Sequence, residues 1–440
     1  MAARLRSVPA RSGRGRYKIS ASMELTSPIE MSDSYPPVVE EVARLAGSPE
    51  VRAAFDWFRS QEAQLTQWQM EAARIAAPPF GEAARSAWLA ERFRELGLRD
   101  VQADEVGNVF GVRPGSGIRS VALSAHIDTV FPATTPLNIR QQGSRLYGPG
   151  VADNGAGIAA MLAVAGAIRA ARISHTLAVV FIGNVGEEGE GDLRGMRHVF
   201  ATPRWRDSIA YSVIVDGAGA DTVVAEALGS RRFEVIVRGP GGHSWSDFGA
   251  PNPIIALARA IRAFSQTPVP SSPKTTFNVG VIRGGTSVNS IPESASMRVD
   301  LRSSSMAEID RLERALRDAV DRAIEAENRA AAGHRTRKPQ AVQPEVVMIG
   351  NRPAGELAPD ARLLQVIGAV DAQLGNTAQV QRASTDANIP LSLGREAIAL
   401  GGGGSGGGAH TLQEWFDTSG RSLGLRRILL TMLTLAGVAE

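Results

Sequence analysis

Histidines and carboxylates that could bind a metal ion stand in five short segments, each close to a strand-like or helix-like run. In an α/β sheet the ends of neighbouring strands meet at one edge, where such proteins place their sites. In the first segment the two side chains are two residues apart, so they share one face of a strand. The candidate residues are His126 and Asp128 in SAHIDTV, Asp153 in GPGVADNGAG, Glu187 and Glu188 in GEEG, Asp216 in IVDGAG, and His410 in GGGAHTLQEWFD.

The chemistry that this set favours is the binding of two metal ions. The chain contains no cysteine, so a metal must be held by His, Asp and Glu. Zinc accepts imidazole nitrogen and carboxylate oxygen and leaves a position open for water. A carboxylate that bridges two ions lets both act on one water, and a spare acid can take the proton of that water. Each segment alone also fits a strand end, a turn or a solvated face, so the prediction depends on their joint occurrence.

The stretch VGEEGEGDL, residues 185–193, raises the question of which of its four acids do chemistry. Neighbours on an extended turn point in different directions, so one of Glu187 and Glu188 can bind metal while the other faces the water. We expect Glu190 and Asp192 to cap the helix that follows or to face solvent. Three further histidines are predicted to have no catalytic role: His175, His198 and His334.

Periodicity predicts an α/β layer around these segments. Helical patterns fill residues 38–99, and strand-like runs follow at NVFGVRP, SVALSAHIDTV, TLAVVFIGN and SVIVDGAG, with the helical AGIAAMLAVAGAIRAARI among them. Near-continuous apolar strands separated by a helix are typical of a buried, mainly parallel sheet. We interpret the glycine-rich residues 401–408 as a tight loop that brings backbone close to the site, with a flexible linker as the alternative.

The pattern changes near residue 230. From there to residue 352 the order is strand, helix, strand, strand, helix, strand, which is that of a ferredoxin-like α+β sandwich. A chain of 440 residues also exceeds what one hydrophobic core usually fills. We therefore predict a discontinuous catalytic, zinc-binding domain at residues 32–229 and 353–440, and an inserted lid at residues 230–352.

Charge and composition limit the partners. Residues 1–18 carry six basic residues and no acid, and the remaining chain has 42 basic against 45 acidic residues. This balance gives no support for nucleic-acid binding. The sequence has no run of 18 apolar residues, so no membrane span is predicted. We expect residues 1–31 to be a disordered basic tail and the protein to be cytoplasmic.

Eight motifs, in this order, resemble the dizinc exopeptidases and deacylases of metallopeptidase family twenty, which include peptidase T, carboxypeptidase G and the succinyl-diaminopimelate desuccinylases. The resemblance spans roughly residues 40–440 and includes the inserted domain. It implies helices around a mainly parallel sheet, together with a lid that also forms a homodimer. The motifs are SAHIDTVFP, GPGVADNGAGIAAML, GEEGEGDLRGMRH, VDGAG, GPGGHSWSDFG, GGTSVNSIPE, VDLRSS and GGGGSGGGAHTLQEWFD.

The resemblance also implies roles for the site residues. Two Zn²⁺ ions per subunit would be bound, although Co²⁺ or Mn²⁺ could take their place. Many members follow the bridging aspartate with Asp-Lys or Met-Lys, whereas Asn154-Gly155 follows here, so the surroundings of that ligand can differ. The implied roles are His126 and Asp216 as ligands of one ion, Glu188 and His410 as ligands of the other, Asp153 as the bridge, Glu187 as the general base, and Asp128 as the residue that orients His126.

Four further residues are implied in substrate contacts. His243 in GGHSWSDFG matches a lid histidine that dimerisation brings to the partner's active site, where it would stabilise the oxyanion. Asn289 and Arg302 resemble lid positions that contact the carboxylate end of the substrate. Asp386 in STDANIPLSLG resembles a loop residue that contacts an α-amino group, and a capped helix start is the alternative for it.

The implied activity is hydrolysis of amide bonds in short peptides, as in a di- or tripeptide exopeptidase similar to peptidase T. An N-acyl-amino-acid deacylase or a carbamoylase would use the same ligands, so both remain alternatives. A non-catalytic binding protein of the same fold is a third alternative. It predicts the loss of the base or of a ligand, and none of these residues is missing.

Overall fold

The computed structural model describes residues 24–28, 36–333 and 341–438. Four helices come first after β1, and mixed runs of strands and helices follow them. The α-helices are α1 (Pro36–Gly47), α2 (Pro49–Ser60), α3 (Glu62–Arg74), α4 (Ala83–Glu95), α5 (Gly155–Ala170), α6 (Arg194–Ala201), α7 (Pro203–Ser208), α8 (Pro253–Phe264), α9 (Met306–Ala332), α10 (Arg362–Leu374), α11 (Asn388–Ser392) and α12 (Arg421–Ala436). The first ten strands are β1 (Glu24–Pro28), β2 (Arg99–Ala103), β3 (Val109–Arg113), β4 (Ser120–His126), β5 (Arg140–Gln142), β6 (Arg145–Tyr147), β7 (Ala178–Asn184), β8 (Ile209–Val215), β9 (Thr222–Ala227) and β10 (Gly229–Arg238). The others are β11 (Gly242–His243), β12 (Thr275–Gly284), β13 (Ser290–Ile291), β14 (Ser294–Ser303), β15 (Gln343–Arg352), β16 (Gly355–Glu356), β17 (Gln379–Ala383), β18 (Glu396–Leu400), β19 (Ser405–Gly407) and β20 (Trp415–Asp417).

The largest sheet has the strand order β1-β17-β9-β18-β8-β4-β7-β3-β2, and β16 pairs with β9. At its centre β4 runs parallel to both β7 and β8, and β18 runs parallel to β8. Antiparallel pairing of β3 with β7 and of β2 with β3 closes one side. Every residue of β4 is buried, which explains its continuous apolar run. The predicted α/β layer is confirmed, with parallel strands at its centre and antiparallel strands towards its edges.

Helix α5 is the rigid element that follows Asp153. The side chain of Asn154 accepts a hydrogen bond from the backbone N–H of Gly157 at 3.0 Å and so caps the helix. All residues from Gly155 to Ile168 are buried, as expected for a helix that is apolar on every side. Gly166 is required for close packing, because a Cβ there would lie 2.4 Å from the Trp57 ring.

The second sheet comprises β10, β12, β14 and β15 in the order β12-β14-β10-β15, and all its pairs are antiparallel. With α8 and α9 it follows the predicted order of strand, helix, strand, strand, helix, strand. It has a hydrophobic core of its own, in which Phe233 and Val235 of β10 pack with Leu257 of α8 and Leu316 of α9. Since side chains alternate along a strand, the polar residues of β10 and β14 point to the other face of this sheet.

The N-terminal segment differs in part from the predicted tail at residues 1–31. Residues 24–28 form β1, which pairs antiparallel with β17 at the edge of the large sheet, where unpaired backbone groups accept an added strand. The rest of that predicted tail lies outside the described residues, and so does His334. Among the residues that the structure describes, no helix is both long and apolar enough to cross a membrane.

Candidate active site

The predicted ligand residues meet at the carboxyl ends of the central parallel strands. His126 is the last residue of β4, Asp216 directly follows β8, and Glu188 lies four residues beyond the end of β7. Because β4 lies between β7 and β8 and runs parallel to both, these three positions face one edge of the sheet. Asp153 comes to the same edge on the turn before α5, and His410 on the loop after β19.

The side-chain atoms that could bind metal form two groups, and Asp153 belongs to both. In the first group, Nε2 of His126 lies 3.1 Å from Oδ1 of Asp153 and 3.6 Å from Oδ1 of Asp216. In the second, Nε2 of His410 lies 3.2 Å from Oδ2 of Asp153 and 3.1 Å from Oε1 of Glu188. The two oxygens of one carboxylate therefore face two different histidines, which is the arrangement expected of a bridging ligand.

The donor set fits divalent metal ions. Nδ1 of His126 lies 3.2 Å from the backbone oxygen of Asp128, so its proton is best placed there and Nε2 presents a lone pair to the carboxylates. Oδ1 of Asp153 is buried and has no hydrogen-bond partner. A lone pair on Nε2 and the carboxylate oxygens cannot hydrogen-bond to one another, so a cation is needed between them. Zinc binds both imidazole nitrogen and carboxylate oxygen.

The histidine pKa values reflect the same need for positive charge. Burial lowers the pKa of His126, but the neighbouring carboxylates of Asp128, Asp153 and Asp216 outweigh it and hold this pKa well above its usual value. Hydrogen bonds to Asp153 and Glu188 raise the pKa of His410 to about 11. In both cases the carboxylates stabilise a cation at the nitrogen, which a metal ion would supply instead of a proton.

Asp128 contacts more than His126. Its carboxylate accepts the backbone N–H groups of Glu187 at 3.0 Å and of Glu188 at 2.8 Å, while Oδ1 lies 3.7 Å from Nδ1 of His126. Burial raises the pKa of Asp128, but the His126 imidazole and these two N–H groups outweigh it, so the pKa is lowered. Asp128 therefore links the end of β4 to the loop that carries both glutamates.

Glu187 faces the cavity beside the ligand groups and is paired with an arginine from the far end of β15. Nη1 of Arg352 donates to Oε1 of Glu187 at 2.9 Å, and Nη2 donates to its backbone oxygen. Burial raises the pKa of Glu187 well above its usual value, although the Arg352 guanidinium opposes that shift. The carboxyl group is thus held by one fixed donor and has a raised affinity for a proton.

A cavity of about 720 Å³ separates these residues from the second sheet. On that side Asp300 accepts hydrogen bonds from Nε of Arg302 at 2.6 Å and from Nε of Arg232 at 3.2 Å, and all three residues line the cavity. The guanidinium groups of Arg232 and Arg302 thus place N–H donors along this wall of the cavity. Such a wall suits a carboxylate of a bound molecule.

His243 and Asn289 lie elsewhere in the single chain. They stand on the short ribbon of β11 and β13, where the backbone N–H of Ser244 donates to the backbone oxygen of Asn289 at 3.0 Å. Neither residue lines the cavity, and the side chain of His243 is exposed. The structure therefore brings Arg302 to the candidate site but places His243 and Asn289 away from it.

Asp386 is fully buried and does not line the cavity. Nδ2 of Asn184 donates to its Oδ2 at 2.6 Å, and burial raises the pKa of Asp386 to about 7. The local capping contacts come from its neighbours, because Asn388 accepts the N–H of Thr385 at 2.8 Å and Thr385 accepts that of Ala387 at 3.2 Å. The TDAN segment is thus a capped turn whose aspartate points into the interior.

The two remaining acids of the glutamate loop behave differently from each other. Glu190 is exposed and lies 3.5 Å from Arg298. Asp192 accepts the backbone N–H of Asn351 at 3.0 Å, and the helix that follows has no side-chain cap. The capping prediction is therefore wrong for Asp192, because its left-handed backbone turns the side chain towards β15 and not into the helix start.

The glycine-rich segment 401–408 borders the cavity and includes β19, so the tight-loop interpretation fits better than a flexible linker. Gly401, Gly406 and Gly407 line the cavity. Gly403 has a φ of +84°, and a Cβ there would lie 2.4 Å from the backbone oxygen of Arg421. Strands β19 and β20 join β5 and β6 in a four-stranded sheet that the sequence analysis missed, because these strands have only three residues each.

Two polar residues of the site, Arg352 and Glu414, are not among the site residues predicted from the sequence. Arg352 is the last residue of the predicted inserted domain, and Glu414 belongs to the motif around His410. Glu414 is buried and binds three backbone N–H groups of the turn that carries Asp153. An arginine at the end of a strand and an acid four residues after a ligand histidine were the available hints.

The histidines given no role stay apart from the site. Nδ1 of His175 lies 2.6 Å from the backbone oxygen of Leu177. Nε2 of His198 lies 3.7 Å from Asp104, on helix α6. Neither belongs to a group of metal donors among the described residues.

A parallel-centred α/β sheet with converging His, Asp and Glu side chains, together with an inserted antiparallel sheet, defines a candidate two-metal α/β protein. The sequence profile of Peptidase family M20/M25/M40 matches residues 122–433. The chain belongs to this family, and so to a family of hydrolases, which confirms the resemblance inferred from the motifs.

Relatives carry several activities in their names. A probable carboxypeptidase of Aspergillus clavatus is 32% identical over 203 residues, which are 41% of this chain and 44% of that protein. A succinyl-diaminopimelate desuccinylase of Nitrosospira multiformis is 26% identical over 272 residues, covering 58% of this chain and 71% of that protein. The chain spans about half the length of the carboxypeptidase relatives that it matches. The crystal structure of a tripeptidase from Staphylococcus aureus has a TM-score of 0.67 at 21% identity, covers 85% of this chain and 98% of its own, and supports the fold.

Proposed function

We propose that this chain is a two-metal hydrolase that cleaves amide bonds of short peptides, as a di- or tripeptide exopeptidase. The observation that carries the proposal is that Asp153 stands in both ligand groups, with Glu187 on the same cavity wall. His126 and Asp216 would hold one Zn²⁺ ion and Glu188 and His410 the other. When bound, such a pair of ions supplies Lewis-acid activation of water and of the substrate carbonyl.

In this proposal Glu187 is the general base. Its carboxylate takes a proton from the attacking water and returns it to the leaving nitrogen, so the same group serves both halves of the reaction. The Arg352 contact fixes one carboxylate oxygen and leaves the other for this proton. Asp128 holds the backbone of both glutamates and so fixes the base relative to the ligands.

The cavity supports short substrates. Its volume of about 720 Å³ is in the range of pockets that enclose small molecules, and it lies between the ligand groups and the wall of Arg232 and Arg302. We propose that this wall binds the terminal carboxylate of the substrate. Residues 230–352 would then act as an inserted lid that supplies one side of the site.

An assay of the zinc-loaded chain against dipeptides, tripeptides and N-acyl amino acids tests the proposal. We expect zinc-dependent hydrolysis of short peptides, and amidation of the terminal carboxylate should lower kcat/KM by about 10–100-fold, the effect of losing one charge-assisted hydrogen bond. Arg302→Gln should weaken this discrimination. Arg298→Gln is the matched control, because Arg298 lies on the same strand but does not line the cavity.

The outcomes of this assay separate the candidate functions. If only N-acyl amino acids are cleaved, the chain is a deacylase or carbamoylase; the similarity to a desuccinylase over 71% of its length favours this second candidate. If no substrate is cleaved although zinc is bound, the binding-protein alternative replaces both.

We also propose that two copies of the chain associate through the inserted domain. Strand β12 is an edge of its sheet and exposes Val281 and Ile282, and Ile254 and Ile255 at the start of α8 are also exposed. An exposed apolar edge strand is a template for pairing with another chain. In a single chain His243 does not line the cavity. Association through this edge would allow His243 to reach the cavity of the other subunit.

The substitution Ile282→Glu is expected to convert a dimer into a monomer, because it places a charge on the pairing edge. Light scattering after size-exclusion chromatography measures the change, and Ile118→Glu is the control, since Ile118 is also exposed but lies on the other domain. Mixed subunits test the histidine: His243→Ala and Asp153→Ala should each be inactive alone and should regain activity after subunit exchange. A wild-type monomer, or a lack of recovery in a proven mixed dimer, would contradict a histidine acting between subunits.

A further inference from the structure

Glu414 lies four residues after His410, and its side chain is completely buried. Its Oε1 accepts the backbone N–H groups of Ala152 at 2.7 Å and of Asp153 at 2.8 Å, and its Oε2 accepts that of Gly150 at 2.8 Å. All three donors belong to the turn that ends at the shared ligand. One carboxylate therefore binds nearly every free N–H group of that turn.

The backbone of Glu414 adds a fourth contact, because the N–H of Gly148 donates to its carbonyl oxygen at 2.9 Å. The same turn is held from its opposite side. Nε2 of Gln69 donates to the backbone oxygen of Val151 at 2.5 Å, and Nη2 of Arg421 donates to Oε1 of Gln69 at 2.6 Å. The turn is thus fixed by side chains from α3 and from the segment after His410.

Burying a carboxylate costs free energy, so a buried glutamate at this position suggests a specific role. A buried carboxylate loses its hydration, and charge-assisted hydrogen bonds from three backbone N–H groups offset that loss here. These bonds fix the peptide plane from which the Asp153 side chain projects. They also tie the loop of His410 to the turn of Asp153, so that these two of the three ligand residues of the second group keep their relative position.

We propose that Glu414 is a positioning residue that sets the orientation of the Asp153 carboxylate and so controls the binding of the ion held with His410 and Glu188. The inference rests on the two-metal site of the proposed function. It assigns to Glu414 no contact with substrate or with the ions themselves. Its effect is carried by the backbone of Gly150, Ala152 and Asp153.

The test compares Glu414→Gln with Asp417→Asn. In Glu414→Gln the side-chain volume is kept, but an N–H₂ group faces the backbone N–H donors. Asp417→Asn is the control, because Asp417 lies in the same segment and pairs with Arg145 without contacting the turn. Zinc affinity is measured by competition with a chelator, and amide hydrogen exchange of residues 148–153 is measured in the metal-free protein. Loss of an outer partner of a metal ligand costs about 10–100-fold in affinity or activity.

For Glu414→Gln we expect the second zinc ion to bind about 10–100-fold more weakly, the first to be less affected, and exchange in the turn to become faster without metal. Turnover should fall through kcat more than through KM, and Asp417→Asn should match the wild type. If Glu414→Gln does not fold, Glu414→Asp, which keeps the charge but withdraws it by one methylene, decides by the same readouts. Unchanged affinity for both ions and unchanged exchange would overturn the proposal. Zinc affinity and hydrogen exchange are measured without a substrate. A wild type that hydrolyses nothing would therefore refute the proposed function without deciding the test of Glu414.

Discussion

Replacing Glu187 with glutamine is expected to lower kcat by about 10²–10⁴-fold while both metal ions remain bound. Glutamine keeps the shape of the side chain and can still accept a hydrogen bond from Arg352, but it cannot take a proton from water. The measurement is kcat for hydrolysis of a tripeptide, with zinc content determined by mass spectrometry on the same sample.

The matched control for this change is Glu190→Gln. Glu190 belongs to the same loop but is exposed and faces Arg298 instead of the ligand groups, so its replacement should leave kcat within about twofold of the wild type. Retained turnover in Glu187→Gln would show that another group is the base. Loss of zinc in that variant would show that Glu187 is itself a ligand.

Replacing Asp153 with asparagine is expected to weaken both metal sites at once. Its two oxygens face His126 and His410 separately, so one substitution removes a charged ligand from each group. Outer partners of metal ligands alone are worth about 10–100-fold in affinity, and the loss of a shared ligand should exceed that range. Calorimetric titration of the metal-free protein with zinc measures both sites.

Asp216→Asn provides the comparison, because Asp216 belongs to only one group. It should weaken one zinc ion and spare the other, whereas Asp153→Asn should weaken two. If Asp153→Asn binds two ions with wild-type affinity, the bridging role is incorrect. Equal effects of both substitutions on both ions would argue against two separate ligand groups.

Much of the fold can be predicted from the sequence alone, because the strands of both large sheets and the helices beside them follow strong periodicities. The apolar run of β4 and the alternating β10 and β14 identify a buried sheet and a half-exposed one. The residues predicted as metal ligands lie together, because the parallel pairing of β4 with β8 brings His126 and Asp216 to one sheet edge. The three-residue strands and the pairing of β1 could not be predicted from the sequence, because segments this short show no hydrophobic periodicity.

Contacts between distant residues could not be predicted from spacing. Arg352 and Glu187 are 165 positions apart, and Glu414 and Asp153 are 261 apart. The contacts of the Asp128 carboxylate with the N–H groups of Glu187 and Glu188 could not be predicted either, because backbone N–H groups carry no sequence signal. His243 remains a separate case: its predicted place is in another subunit, so a single chain leaves it away from the cavity.

Anomalous diffraction at the zinc edge can show directly whether the Asp153 carboxylate joins two metal sites. Crystals of the zinc-loaded protein should show two peaks of comparable height, one among His126, Asp153 and Asp216, the other among Asp153, Glu188 and His410. Asp153 should contact both. A single peak, or two peaks with Asp153 bound to only one of them, would contradict this account.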